Sequence, residues 1–139
     1  MGCLPPRKQG DLGELSAIEW LGTQGYGVWI PIGHSPDCDL IATDRERLLR
    51  EQVKTTTFQR RNRWVVAVCP RGGNRSWNGI VKRFSATRCD WLFVLVRDGR
   101  RWFIPAKAVE GGANLHLGGP KYSEFEIDPG RPLPSPESR

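Results

Sequence analysis

Two apolar runs, Trp91–Val96 and Arg101–Pro105, stand on either side of Asp98-Gly99, and this arrangement commits the second half of the chain to a β-hairpin. Asp-Gly is a strong two-residue turn signal, because both residues accept the positive φ that a tight hairpin demands. Earlier segments extend the sheet. Residues 28–32, 38–42, 48–54 and 64–68 read as strands, and residues 33–37 form a turn between the first two. Ahead of them, Leu12, Leu15, Ile18 and Leu21 recur every three residues and predict one helix, with Asp11 as its cap and Gly22, Gly25 and Gly27 as its stop. Residues 70–75 carry two glycines between basic flanks and predict an exposed, flexible loop. It lacks the Gly-Lys-Ser/Thr of a Walker loop. Beyond Ile127 the sequence is too poor in apolar residues to pack, so residues 128–139 are expected to form a disordered, Pro-rich tail. The chain thus divides into a short lead (1–7), one domain (8–127) and the tail.

A chain of 139 residues suits a single core that buries roughly two-thirds of the unfolded surface. Lys and Arg number 21 against 15 Asp and Glu, for a net charge of +6, as expected of a surface that meets phosphates, although such a balance also serves solubility. The four cysteines form no CxxC pair, which suggests reduced cytosolic thiols. A zinc site built from His34 and Cys38 lacks the paired short-range spacing that such sites show. No apolar run approaches the roughly 18 residues of a membrane span, and the N-terminus lacks a secretory apolar segment. Met1-Gly2 is followed by Pro6 where a myristoylation signal needs Ser or Thr. A cytoplasmic protein with no membrane partner is the expectation.

The candidate site follows from strand geometry. Residues two apart on a strand share a face, so Gln52 and Lys54 are neighbours, while Leu49, Glu51 and Val53 occupy the other side. On the helix, Glu14 lies four residues before Ile18 and seven before Leu21, which puts an acid on the inward stripe. A buried carboxylate is costly without a cation or hydrogen bonds. If the helix packs on the face carrying Gln52 and Lys54, then Glu14, Asp39, Gln52 and Lys54 converge; the plain alternative is a buried Glu14–Lys54 salt bridge with no chemistry.

Gly13-Glu14, Asp39-Leu40-Ile41 and Gln52-Val53-Lys54-Thr55, in this order and followed by hydrophobic strands, resemble the PD-(D/E)xK nuclease superfamily over roughly residues 8–127. The likeness is nearest to its branch of group I intron homing endonucleases, with archaeal Holliday-junction resolvases more distant. The resemblance implies an α/β fold with a restriction-endonuclease-like core, a mixed central sheet flanked by helices. It also implies a metal-dependent DNA endonuclease with Glu14, Asp39, Gln52 and Lys54 as the catalytic set. Asp39, Glu14, the Gln52 amide oxygen and the Val53 carbonyl would hold Mg²⁺, with Mn²⁺ as an alternative, since hard cations prefer oxygen. Lys54 would orient the attacking water and stabilise charge on the phosphorane. Most superfamily members carry an acid where this chain has Gln52; in the homing branch Gln is expected there. Pro36-Asp37 spells the motif's first letters, but Asp39 heads the strand and fits better, leaving Asp37 as a turn residue. Asp11 is a cap, or alternatively a support for the metal site.

For double-stranded DNA, the candidate contacts are Arg60, Arg61 and Arg63 in one basic turn and Arg75 in the loop after residue 70, where flexible basic segments can follow a backbone. Trp64, Trp91 and Trp102 are expected in the core, whereas Trp77 beside Arg75 could also stack on a base. Cutting two strands with one site per chain argues for a homo-oligomer, a dimer or tetramer. A junction-resolving nuclease and a non-catalytic DNA-binding module on the same fold remain open alternatives.

Overall fold

The computed structural model describes residues 4–33, 38–68, 84–86 and 88–135. The expected loop at 70–75, with Arg75 and Trp77, and the motif residues Pro36 and Asp37 lie outside the described residues, as do His34 and residues 136–139.

The helix α1 spans Pro6–Thr23. It begins earlier than the Asp11 cap would set it: Pro6 occupies the first turn, where its fixed φ and missing N–H cost nothing, and no side chain caps the helix. Asp11 therefore sits inside the helix. At the other end Gly25, at φ +92°, donates to Gly22 O at 3.0 Å while Tyr26 N–H donates to Leu21 O at 3.0 Å. This pair of bonds closes the last turn around a left-handed glycine, so the stop is at Gly25 and Gly22 belongs to the helix. The buried stripe is Gly13, Ala17 and Leu21, a period of four, and Leu15 is left exposed.

Among the described residues nine strands follow: β1 Gly27–Trp29, β2 Leu40–Asp44, β3 Arg47–Thr56, β4 Gln59–Arg60, β5 Arg63–Ala67, β6 Trp91–Val96, β7 Arg101–Pro105, β8 Asn114–Leu117 and β9 Glu126–Ile127. The first is shorter than expected, since Pro31 has no N–H to give a ladder. Six of them form a mixed sheet ordered β1-β2-β3-β6-β7-β9, in which only β3 and β6 run parallel. The expected mixed α/β sheet is thus present. Among the described residues α1 covers one face of it, and a second sheet, β4-β5-β8, covers part of the other.

The alternation of β6 shows how the two layers are built. Leu92, Val94 and Val96 point into a core shared with Trp64, Val66, Leu115 and Leu117 of the second sheet, whereas Phe93 and Leu95 join Ala17 and Leu21 of α1, with Leu40 and Ala42. Trp64 and Trp102 are buried as expected, and half-buried Trp91 stacks on Phe103 at 4.3 Å between ring centroids. The β6–β7 hairpin uses a longer loop than Asp98-Gly99 alone. Val96 N–H donates to Arg100 O at 3.1 Å, so residues 97–99 form the turn, with Gly99 at φ +98°.

The segment after Ile127 is not a loose tail as far as residue 135. Gly130 N–H donates to Gly99 O at 2.8 Å, Leu133 N–H to Arg97 O at 2.9 Å, and the Leu133 side chain is buried. A buried Arg101 fastens it further: its guanidinium donates to Asp128 O at 2.8 Å, to Ser16 O at 3.2 Å and to Glu19 Oε1 at 2.7 Å, tying the segment to α1. Apolar content misjudged this stretch because its anchorage is mainly backbone hydrogen bonding to another part of the chain. No helix among the described residues is long and apolar enough to cross a membrane.

Candidate active site

Strand β2 pairs with β3 only as far as Leu40 opposite Glu51, so among the described residues the β2-side edge of β3 has no strand partner from Gln52 onward. Asp39 bridges the opening. Its backbone N–H donates to Glu51 O at 2.8 Å, and its Oδ2 accepts the Val53 N–H at 2.7 Å. The carboxylate thereby satisfies a ladder donor that would otherwise be orphaned, and it is fixed at the strand's margin.

Face assignments follow from the two cores. Leu40 and Ala42 pack under α1, as do Leu49 and Val53, so Asp39, Gln52 and Lys54 lie on the opposite face of the sheet together. That is the face of Leu92 and Val94, with which Gln52 and Lys54 are in register. Gln52 and Lys54 are half-buried at the rim of this core.

Glu14 reaches the site differently from the expected way. The helix packs on the Glu51, Val53 and Thr55 face, not on that of Gln52 and Lys54, because the larger apolar side chains of β2 and β3 are there. Glu14 instead approaches Asp39 at the open edge: burial, then the negative charges of Asp39 and Asp11, raise its pKa above the ordinary 4.5. Among the described residues no ion pair joins Glu14 to Lys54, so the simple salt bridge is absent. No three His, Cys, Asp or Glu side chains gather as a metal cluster among the described residues. With Gln52 in place of an acid, Glu14 and Asp39 are the only acids the proposed set contains.

What lets α1 come so near is Gly13. A Cβ added there would lie 2.5 Å from Thr55 Oγ1 and 3.2 Å from Val53 Cγ1, while Thr55 Oγ1 donates to Gln9 O at 3.2 Å. Gly10, in the same helix, has nothing within 4 Å of such a Cβ among the described residues. Alanine is intrinsically favoured over glycine in a helix by up to about 1 kcal/mol, but overpacking costs about 1–3 kcal/mol. Gly10→Ala is therefore expected to raise the urea midpoint and Gly13→Ala to lower it. Shifts of the same sign in both variants would refute the close approach.

Two residues beside the motif were legible only in part. Glu51 shares its face with Leu49 and Val53 by alternation, but it is completely buried, neither carboxylate oxygen has a hydrogen-bond partner among the described residues, and burial pushes its pKa up to about 8. Arg50, one of many scattered arginines in the sequence, holds Asp90: its backbone N–H donates to Asp90 Oδ2 at 2.8 Å and its Nε to the same atom at 3.2 Å, while Asp90 N–H donates to Arg50 O at 2.8 Å. The Arg50 hydrogen bond lowers the Asp90 pKa, against the opposing effect of burial. This exchange locks β3 to β6 one turn of pleat before the motif. Arg60 and Arg61 are exposed and Arg63 half-buried, all on the β4–β5 hairpin.

Residues 5–120 match the family described as PD-(D/E)XK endonuclease. Among solved structures, a bacterial homing endonuclease, I-Ssp6803I, superposes with a TM-score of 0.74 at 22% identity, covering 86% of this chain and 87% of that one, a likeness of fold. Comparison with curated protein sequences gave no match.

Proposed function

The chain belongs to the PD-(D/E)XK endonuclease family, and on that premise we propose that it hydrolyses phosphodiester bonds of double-stranded DNA as a Mg²⁺-dependent endonuclease of the homing type, with Mn²⁺ as an alternative ion. The observation that carries this reading is the placement of Asp39, Gln52 and Lys54 on one sheet face at the open margin of β3, with the Asp39 carboxylate held by the Val53 N–H.

The donors fit a hard divalent cation. Asp39, Glu14, the Gln52 amide oxygen and the Val53 carbonyl offer oxygen alone, and burial together with the charges of Asp39 and Asp11, which raise the Glu14 pKa, makes a setting that a cation would relieve. When bound, the ion lowers the pKa of a water and polarises the phosphoryl group. Asp39 keeps its orientation through the Val53 N–H. Gln52, a neutral amide, contributes less attraction than an acid would and leaves the site more dependent on Asp39 and Glu14. Lys54 cannot ligate a metal while protonated. Its ammonium, on the face shared with Asp39 and Gln52, orients the attacking water and balances charge on the phosphoryl oxygens. Arg60, Arg61, Arg63 and Arg75 supply contacts to DNA. Two cuts in a duplex need two sites, so the working unit is a homo-oligomer, a dimer or tetramer, acting in the cytoplasm.

The test is incubation with supercoiled plasmid and with a synthetic four-way junction, each with Mg²⁺ or EDTA, beside Asp39→Ala. Nicking or linearisation that requires Mg²⁺ and is lost in Asp39→Ala is expected. Preference for the junction would shift the reading to a resolvase, and tight binding with no cutting of any DNA would reassign the chain as a non-catalytic module.

A further inference from the structure

Strand β3 does not stop at the proposed site. Beyond Gln52 and Lys54 it continues through Thr56 and, by way of Phe58, into β4. Thr56 Oγ1 donates to Val65 O at 2.8 Å and accepts Phe58 N–H at 3.2 Å, and Val65 N–H donates to Phe58 O at 3.0 Å. These bonds fix the β4–β5 ribbon rigidly to the end of β3. The tip is equally defined: Arg61 and Asn62 stand at φ 52° and 67°, the pair of left-handed residues that makes a type I′ turn. Residues 58–62 are all exposed.

The two faces of this ribbon differ. Trp64 and Val66 point into the core between the sheets, so the face carrying Trp64 turns toward the main-sheet face that bears Leu92, Val94 and, at its rim, Gln52 and Lys54. Gln59 is the cross-strand partner of Trp64 and shares that face, yet it is exposed, beyond the edge of the core. Arg60 and Arg63 pair on the opposite face. Gln59 therefore lies on the side of the molecule where the proposed catalytic residues lie, and Arg61 stands at the tip of the same projection, which is anchored to the same strand.

We infer that the β4–β5 ribbon is the sequence-reading element of the nuclease, with Gln59 and Arg61 contacting base edges in the major groove close to the scissile phosphate; this rests on the endonuclease reading above. A two-stranded ribbon fits the major groove, about 12 Å wide, where glutamine pairs with the N6/N7 edge of adenine and arginine with the O6/N7 edge of guanine. From Lys54 to Arg61 the chain spans at most about 23 Å at about 3.3 Å per residue. At about 3.4 Å per base pair, the bases read lie within about seven pairs of the cut. Arg60 and Arg63, turned away from the base floor, reach phosphates and carry no sequence information.

The experiment selects bound duplexes from a random-sequence library with the Lys54→Ala chain in Mg²⁺, alone and combined with Gln59→Ala, Arg61→Ala or Arg60→Ala. Unsubstituted protein is then used to map the cut on the selected sequence. All three ribbon positions are exposed, and unchanged urea midpoints verify folding. Gln59→Ala and Arg61→Ala should each flatten the enrichment at one or two base pairs by about ten- to a hundredfold, the range set by one bidentate contact. Arg60→Ala should weaken binding to all sequences alike. The inference is overturned if enrichment is unchanged in both variants, if no sequence is enriched at all, or if the affected pairs lie well beyond seven from the cut. Loss of the base preferences without any Mg²⁺-dependent cutting by the unsubstituted chain would instead refute the endonuclease reading and leave the ribbon as a reader.

Discussion

Lys54→Ala is expected to slow single-turnover DNA cleavage by about a thousandfold or more while changing DNA affinity by less than about tenfold. The asymmetry follows from where the charge acts. On the proposed reading Lys54 shares a sheet face with Asp39 and Gln52 and presents one ammonium to the reacting phosphate, where removal of one group that stabilises developing charge costs about 10²–10³ in rate and loss of water orientation adds to it. Binding, in contrast, is spread over many phosphate contacts, each cation contributing a modest share. Arginine should rescue poorly, because a planar guanidinium cannot occupy the position of a compact ammonium. The check is a cleavage time course in Mg²⁺ with a gel-shift titration on the same duplex. Equal rates for Lys54→Ala and the unsubstituted chain would remove Lys54 from the site.

The second large effect concerns stability. Glu51 is completely buried without a hydrogen-bond partner among the described residues, and its pKa in the folded chain lies at about 8 against an ordinary 4.5. The folded state therefore holds a proton that the unfolded chain has already lost between these two values. The Glu51 contribution to stability is greatest below the unfolded value of 4.5, declines as pH rises toward about 8 and levels off above it. Over that window the slope approaches about 1.4 kcal/mol per pH unit. Urea unfolding in EDTA at a series of pH values should show this decline, and Glu51→Gln should flatten it. Glu51→Leu should in addition raise stability at pH 8 by on the order of a few kcal/mol, since it replaces an unpartnered polar group in an apolar setting. Parallel pH curves for all three proteins would show that Glu51 is solvated or paired in solution.

These two residues mark how far the sequence can be read. The pairing of Gln52 with Lys54, and the exclusion of Glu51 from their face, needed only the two-residue period of a strand, and the structure keeps both. The central hairpin and the site of the helix were legible for the same reason, since turn chemistry and short-range periodicity are local. The open-edge position of Asp39 was not, because the hydrogen bond from Val53 N–H depends on β2 ending opposite Glu51.

Local periodicity thus determined which side chains travel together and the strand-forming runs, while the motif residues in their order carried the resemblance to the family. It could not determine which face α1 would choose. That depended on Leu40, Ala42, Phe93 and Leu95 gathering on one side of a sheet assembled from distant segments. Tertiary structure alone buried Glu51, set the second sheet against the face of Gln52 and Lys54, and fastened residues 128–133 through Arg101 and Gly99. The reason is that alternation fixes only relative orientation along one strand, whereas burial and absolute facing are free energies of contacts between residues far apart in the chain.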